Sequence, residues 1–201
     1  MTRLVVCAAL GVEARALRDP AYTVVRTGMG VRRASAAARL LPAFDALAVA
    51  GFGGALDDRC RPGDLVVATE VRTATGVLPC PHADDLADRL ARGGATVRRG
   101  PVVTVGHTVT GRERRALADL GAVAVDMESA PLAASAGDRP WAVVRAVVDG
   151  PGHPLVSPGT VVRGLAARRR LRRSAAALAA WAAASAPCRT TDSHLPEEAG
   201  P

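Results

Sequence analysis

Three acidic side chains stand where two predicted strands end in the second half of the chain. Asp126 and Glu128, with Met127 between them, follow one apolar run directly, and Asp149 follows the next. Because the carboxyl ends of parallel strands meet at one edge of a sheet, we expect the carboxylates of Glu128 and Asp149 to face one cleft. Two carboxylates in one cleft can divide their roles, one protonated in desolvated surroundings and the other ionised. The pattern therefore indicates acid–base chemistry at this edge.

The acid–methionine–acid segment also suits binding of a sugar or a base. A methionine offers an apolar face, and a neighbouring carboxylate accepts hydrogen bonds from two hydroxyl groups. The alternative is that Asp126 and Glu128 only stabilise the start of the following helix, where acidic side chains oppose the positive end of the helix dipole. Capping does not account for the bulky Met127 between the two acids.

Two glycine-rich segments follow other predicted strands. Gly28-x-Gly30 opens a helix, and Gly51-x-Gly53-Gly54 ends a strand, but both lack the full spacing of a dinucleotide-binding fingerprint. Each offers close backbone approach and free N–H groups, which suit an anionic or hydroxyl-rich ligand. The alternative is a tight turn that needs glycine for its conformation.

Strand-like and helix-like segments alternate along the chain. Strands are predicted at 4–9, 22–26, 46–50, 65–71, 101–105, 121–125 and 141–148, and helices at 13–18, 31–41, 84–91, 112–120, 127–136 and 160–186. Such alternation predicts an α/β fold, a three-layer αβα sandwich around a central mixed, largely parallel sheet. We expect one domain at 1–187 and a disordered tail at 188–201.

Charge composition argues against a nucleic-acid partner. The net charge is +7, but every basic residue is arginine, and lysine, isoleucine, asparagine and glutamine are absent, which indicates coding bias. The chain has five aromatic residues, too few for the stacking platforms of single-strand binders. We expect scattered, solvated arginines and no bound nucleic acid.

Cysteine spacing argues against a metal site. Cys7, Cys60, Cys80 and Cys188 include no C-x-x-C pair, and His82 near Cys80 has no third ligand close by in the sequence. No apolar stretch approaches the roughly 20 residues of a membrane span, and the first residues lack the apolar run of a signal peptide. The sequence predicts a cytoplasmic protein without disulfides or metal.

The order of these motifs resembles the nucleoside phosphorylase superfamily, in particular the methylthioadenosine/S-adenosylhomocysteine nucleosidases. The resembling pieces are Ala9-Leu10-Gly11-Val12-Glu13-Ala14-Arg15, Gly28-Met29-Gly30, Ala50-Gly51-Phe52-Gly53-Gly54-Ala55-Leu56, Pro62-Gly63-Asp64-Leu65-Val66-Val67, Val125-Asp126-Met127-Glu128-Ser129-Ala130 and Val144-Arg145-Ala146-Val147-Val148-Asp149. Details around Glu13, Asp126 and residues 149–155 resemble the hopanoid-associated branch, which removes adenine from adenosylhopane.

The resemblance implies a role for each acid in cleavage of an N-glycosidic bond. Asp149 would protonate the purine at N7, and Glu13 would orient the attacking water. Met127 and Glu128 would bind the ribose, with Glu128 on its hydroxyls. No metal or redox cofactor is required. A general acid neutralises the negative charge that develops on the purine, and a carboxylate near the sugar stabilises the positive charge on the ribose.

Further positions follow from the same resemblance. Gly53 and Gly54 would line the ribose site, and His107, Thr108 and Val109 would hold the base. The aromatic residue that often stacks on the base in the family is missing here.

The nucleophile is left open between water and phosphate as a co-substrate. Glu13 favours water, whereas a phosphorylase would gather glycines and arginines around phosphate. Gly28, Gly30, Arg32 and Arg33 are the candidates for that phosphate site.

Two positions depart from the family pattern. Phe52 replaces a serine before the paired glycines, and Val148 replaces the serine before the catalytic acid, which removes one hydrogen bond that would orient Asp149. Both changes fit a large apolar 5′-substituent or a weakened activity.

Several alternatives stay open. A small-nucleoside hydrolase acting on methylthioadenosine or a related compound is the rival enzyme, and an arginine-rich nucleic-acid-binding protein on a nucleosidase scaffold is the rival without catalysis. The last helix combines arginines 168–170, 172 and 173 with an apolar stripe and Trp181, which suggests either weak peripheral membrane contact or packing on the sheet. The resemblance also implies a homo-oligomer that binds a small nucleoside.

Overall fold

Strands and helices alternate throughout the computed structural model, which describes residues 2–153 and 160–186. The strands are β1 (Leu4–Ala8), β2 (Thr23–Arg26), β3 (Ala46–Ala55), β4 (Leu65–Thr73), β5 (Gly76–Pro79), β6 (Val97–Thr104), β7 (Ala124–Asp126) and β8 (Trp141–Asp149). The helices are α1 (Gly11–Ala16), α2 (Val31–Ala38), α3 (Ala83–Arg92), α4 (Gly111–Asp119), α5 (Ser129–Ala134) and α6 (Thr160–Ser185). The tail predicted at 188–201 lies outside the described residues.

The eight strands form one mixed sheet, as predicted. Its order is β2-β1-β3-β7-β6-β4-β5, and β8 pairs with both β3 and β4. The pairings β3–β8, β8–β4, β4–β6, β6–β7 and β7–β3 therefore close a ring of five strands. Five of the eight strand pairs are parallel and three are antiparallel.

Two groups of helices cover the sheet. Helix α6 packs on β3 and β8 and contacts α1 and α3, whereas α5 packs on β3, β4 and β8 and contacts α2. All nine residues of β8 are buried, because helices and neighbouring strands enclose it. Such complete burial explains its nearly unbroken apolar sequence.

Helix α6 directs its apolar stripe at the sheet. Leu171, Leu178 and Trp181 are fully buried, and Leu165 at the start of the helix is half exposed. The packing alternative for this stripe is therefore correct, and the arrangement leaves neither Trp181 nor these two buried leucines for contact with a membrane. Within residues 2–153 and 160–186, no helix is long and apolar enough to cross a bilayer.

Several strand boundaries differ from the prediction, and one strand, β5, is additional. Strand β7 begins at Ala124, three residues after the predicted start at 121. Strand β3 continues through its glycines to Ala55 instead of turning after Ala50, because Gly51, Gly53 and Gly54 keep a negative φ. Strand β5 was not predicted, since its four residues are mostly exposed and lack an apolar alternation. Strand β6 begins at Val97, four residues before the predicted start. The prediction missed its first half because two exposed arginines there interrupt the hydrophobic pattern.

Candidate active site

A cavity of about 190 Å³ lies where several strands of the sheet end. It is lined by every residue predicted for catalysis, ribose binding and base binding, namely Glu13, Gly53, Gly54, His107, Thr108, Val109, Met127, Glu128 and Asp149. Helix α1, the loops after β6 and β7, and the ends of β3 and β8 contribute these residues. Residues far apart in the sequence thus form one concave surface.

Glu13 is fixed in the first turn of α1 and is 2% exposed. Its Oε2 accepts a hydrogen bond from the backbone N–H of Leu10 at 2.6 Å, and its Oε1 accepts one from that of Phe52 at 2.7 Å. Burial nonetheless raises the pKa of this carboxyl, against the opposing effect of these two bonds and of Arg145. A buried carboxylate with a raised pKa is suited to accept a proton from water.

Arg145 organises the acids on the inner side of the cavity. Its Nε donates to Asp126 Oδ2 at 2.7 Å, and its Nη2 donates to the Ser129 hydroxyl at 2.8 Å and lies 3.7 Å from Glu128 Oε2. The arginine side chain is 1% exposed, and that of Asp126 is fully buried. A charge buried to this degree is stable only with partners, so the arginine and these acids form one unit.

Asp126 serves this network rather than the cavity centre. Its Oδ1 accepts a hydrogen bond from the Thr104 hydroxyl at 2.7 Å and also from the backbone N–H groups of Glu128 and Ser129. The Ser129 hydroxyl donates to its other oxygen. Asp126 therefore fixes the backbone at the start of α5, which partly agrees with the helix-capping alternative.

Glu128 is positioned by a backbone contact outside the Asp126 network. Its Oε1 accepts a hydrogen bond from the backbone N–H of Gly30 at 2.8 Å, and its side chain is 7% exposed. Gly30 has φ +95°, a conformation that glycine adopts without strain, so this position requires glycine. The Gly28-x-Gly30 segment thus positions the carboxylate next to Met127 at the cavity wall.

Asp149 ends β8 at an irregularity in the strand pairing. Gly53 pairs with Val147 and Gly54 with Asp149, so Val148 is an extra residue opposite the β3 strand. A bulge of this kind turns the following side chain and is frequent beside active sites. Arg114 Nη2 donates to Asp149 Oδ2 at 2.5 Å, and both side chains are about one-tenth exposed.

The glycines of β3 are required by space rather than by a turn. A Cβ atom on Gly51 would lie 2.9 Å from both Arg145 Nη1 and Glu13 Oε1. A Cβ atom on Gly54 would lie 3.0 Å from Asp149 Oδ1. The absence of side chains lets the strand pass directly against the buried acids.

The predicted base-binding segment lies between β6 and α4. His107 is exposed, and its Nε2 lies 2.8 Å from Glu113 Oε1. Val109 is buried, and its carbonyl accepts a hydrogen bond from Arg114 at 3.1 Å. The segment is therefore anchored at Val109, while His107 stands at the solvent side.

The predicted phosphate site is not brought together at this cavity. Arg32 and Arg33 are exposed on α2, and neither lines the cavity. The side chain of Arg33 packs against Gly28. A Cβ atom added to Gly28 would lie 2.8 Å from Cδ of Arg33. Gly30 contributes its backbone N–H to Glu128 instead.

Sequence reasoning missed two arginines of the site. Arg145 is the single charged residue before the final aspartate of an otherwise apolar, fully buried strand, and that isolation was a usable signal. Arg114 belongs to an exposed, arginine-rich helix and gave no comparable signal. Among the described residues, no group of three or more histidine, cysteine or acidic side chains could hold a metal ion.

The match to a family model decides the relationship. Residues 17–182 match the model of the phosphorylase superfamily. The chain belongs to this superfamily. The expected enzyme class, nucleoside phosphorylase or nucleosidase, is confirmed at that level, and no curated protein sequence matches the chain.

Solved structures of superfamily nucleosidases share the fold. The 5′-methylthioadenosine/S-adenosylhomocysteine nucleosidase of Campylobacter jejuni has a TM-score of 0.74 at 15% identity, covering 90% of this chain and 98% of that one. The Helicobacter pylori enzyme with butyl-thio-DADMe-Immucillin-A has 0.73 at 13%, covering 92% and 99%. The S-adenosylhomocysteine nucleosidase of Streptococcus pyogenes, in complex with 5-methylthiotubericidin, has 0.71 at 18%, covering 90% and 95%. At such identities the likeness shows the fold.

Proposed function

We propose that this superfamily member hydrolyses the N-glycosidic bond of a 5′-modified adenine nucleoside. The observation that carries the proposal is the convergence of Glu13, Glu128 and Asp149, each from a different part of the chain, on one cavity beside Met127. Three carboxylates are the groups that this reaction needs, because positive charge develops on the ribose while the purine leaves.

The proposed reaction balances through two of these acids. Asp149 gives its proton to N7 of the purine while the C1′–N9 bond breaks and its electron pair leaves with the base. Water forms the new bond to C1′, and Glu13 accepts the proton that the water loses. The products are neutral adenine and a 5′-modified ribose, and solvent returns both carboxyls to their starting states. Glu128 binds the ribose hydroxyls and faces the positive charge on the sugar.

Water is proposed as the nucleophile rather than phosphate. Glu13 lies in the cavity wall with a raised pKa, whereas Arg32 and Arg33 are exposed outside it. A phosphate dianion in the cavity would be repelled by the negative charges of Glu13 and Glu128.

The lining of the cavity supports an apolar 5′-substituent. Leu10, Met29 and Phe52 belong to the wall, and Met29 is half exposed. Phe52 stands where the family often has serine, so an apolar ring replaces a hydroxyl. We propose adenosylhopane as the substrate, cleaved during formation of the hopanoid side chain.

The test is the release of adenine from a series of adenosines whose 5′-substituents range from methylthio to long alkyl groups, with and without phosphate. We expect adenine and free 5′-modified ribose at a rate independent of phosphate, with kcat/KM rising with substituent length. Formation of a ribose 1-phosphate would overturn the choice of water, and a preference for the methylthio compound would favour the small-nucleoside hydrolase. The absence of adenine release from every compound would refute the proposal.

A further inference from the structure

Arg114 is the one buried residue of helix α4, and its guanidinium has three acceptors. Nη1 donates to the carbonyl of Ala55 at the end of β3, while Nη2 donates to the carbonyl of Val109 and to Asp149 Oδ2. These acceptors belong to the last residue of one strand, the base-binding segment and the end of β8. One side chain thus connects β3, the predicted base-binding segment and β8 at the cavity.

The two oxygens of Asp149 have different surroundings. Oδ2 accepts the hydrogen bond from Arg114, whereas Oδ1 makes no hydrogen bond within residues 2–153 and 160–186. Asp149 and Gly54 both line the cavity, and a Cβ atom on Gly54 would lie 3.0 Å from Oδ1 and 3.3 Å from Oδ2. An oxygen that accepts from a guanidinium is a poor place for a proton, because the donor N–H already occupies it. When the carboxyl is protonated, its proton therefore belongs on Oδ1, the oxygen that accepts no hydrogen bond from Arg114.

We propose that Arg114 is a positioning residue that directs the Oδ1 proton of Asp149 toward the purine. The inference rests on the proposed function, in which Asp149 protonates N7. Once the proton has moved to N7, the negative charge left on Asp149 lies next to the guanidinium, which stabilises it. Val148 has no hydroxyl with which to orient the neighbouring acid, so this hydrogen bond comes from another helix.

Neighbouring arginines of the same helix provide a matched control. Arg112 and Arg115 are exposed, and Arg112 lies outside the cavity wall. Arg112→Gln removes the same charge from the same helix without touching Asp149, so it reports the effect of charge alone. We expect it to leave kcat and KM unchanged.

The experiment measures kcat and KM for adenine release with the wild type, Arg114→Gln, Arg114→Lys and Arg112→Gln. Binding of 5′-methylthio-7-deazaadenosine is measured in parallel, because this analogue has carbon in place of N7 and cannot take the proton. We expect Arg114→Gln to lower kcat about 10²-fold, the order of effect of a misplaced reacting group, with analogue binding retained. Arg114→Lys keeps the positive charge but lacks the planar set of N–H donors of the guanidinium. Its kcat should lie between those of the wild type and Arg114→Gln.

A double-variant cycle separates positioning from general stabilisation. If Arg114 acts through the acid, Arg114→Gln added to Asp149→Asn should lower kcat no further than Asp149→Asn alone. Full additivity of the two losses, or wild-type kcat in Arg114→Gln, would overturn the inference. Should the Gln variant fail to fold, the Lys variant decides in the same cycle. Failure of the proposed function is distinguishable, because the wild type would then release no adenine.

Discussion

Asp149→Asn isolates the proton donor of the proposed reaction. The amide has nearly the volume of the carboxyl, and its carbonyl oxygen can still accept the hydrogen bond from Arg114 Nη2. It cannot transfer a proton to the leaving purine. Loss of a general acid lowers kcat by about 10²- to 10⁴-fold, which corresponds to roughly 2.7–5.4 kcal/mol in activation free energy.

The stability cost of this substitution should be smaller than its catalytic cost. The guanidinium of Arg114 loses an ionic partner but keeps the two backbone carbonyls of Ala55 and Val109. We expect the free energy of unfolding to fall by about 1–3 kcal/mol. For a chain of this size that is a decrease in Tm of about 2–12 °C.

Adenine release under single-turnover conditions, binding of the 7-deaza analogue and thermal unfolding together test this reasoning. Asp138→Asn is the matched control, because Asp138 is exposed and lies outside the cavity wall. We expect Asp149→Asn to lose turnover and retain binding, and Asp138→Asn to lose neither. A kcat for Asp149→Asn within tenfold of the wild type would refute the assignment of Asp149 as the acid.

Three further predictions concern the ribose site, the nucleophile site and the core. Glu128→Gln should raise KM and lower kcat together. A carboxylate accepts hydrogen bonds through both oxygens, whereas the NH₂ group of the amide repels one of the N–H or O–H donors. A change in Tm without a change in kcat/KM would indicate a helix-capping role only. Burial raises the pKa of Glu13, and the base must be ionised to accept a proton. As the pH decreases, kcat/KM should therefore fall at a higher pH than the one at which an ordinary glutamate becomes protonated. A pH profile that is flat through this range would contradict that role. Leu171→Ala should cost about 2–5 kcal/mol of unfolding free energy by denaturant titration, and Leu165→Ala far less, because the first side chain is fully buried and the second half exposed.

The central architecture could be predicted from the sequence because its signals are local. The apolar strand Trp141–Asp149 and the helix Thr160–Ser185 were found within one residue of their observed ends. Apolar runs and helical periodicity report burial directly, whichever neighbours provide it. The same rule failed at Gly76–Pro79, where an exposed strand carries no hydrophobic pattern.

The site was predicted only in part, because motif order identifies residues but not their partners. The nine predicted catalytic, ribose-binding and base-binding residues came from motifs or from the family resemblance, and they line one cavity. The alternative that Gly51, Gly53 and Gly54 form a tight turn is wrong, since these glycines make room for buried side chains inside a strand. No sequence pattern states that Arg114 reaches Asp149 from 35 positions away, because that contact depends on how α4 packs.

The ring of strand pairings has a consequence for how the molecule opens. Strands β2 and β5 lie at the sheet edges and each pairs with one neighbour, so they can separate from the sheet by breaking a single ladder. A strand within the ring can leave only when at least two ladders break, and Asp126 and Asp149 end two of these strands, β7 and β8. Backbone amides of the ring should therefore exchange their hydrogens with solvent most slowly, by global unfolding, while those of β2 and β5 exchange by local fraying. Asp126 and Asp149 are thus attached to the part of the chain that opens last, whereas Glu13 lies on α1, outside the ring.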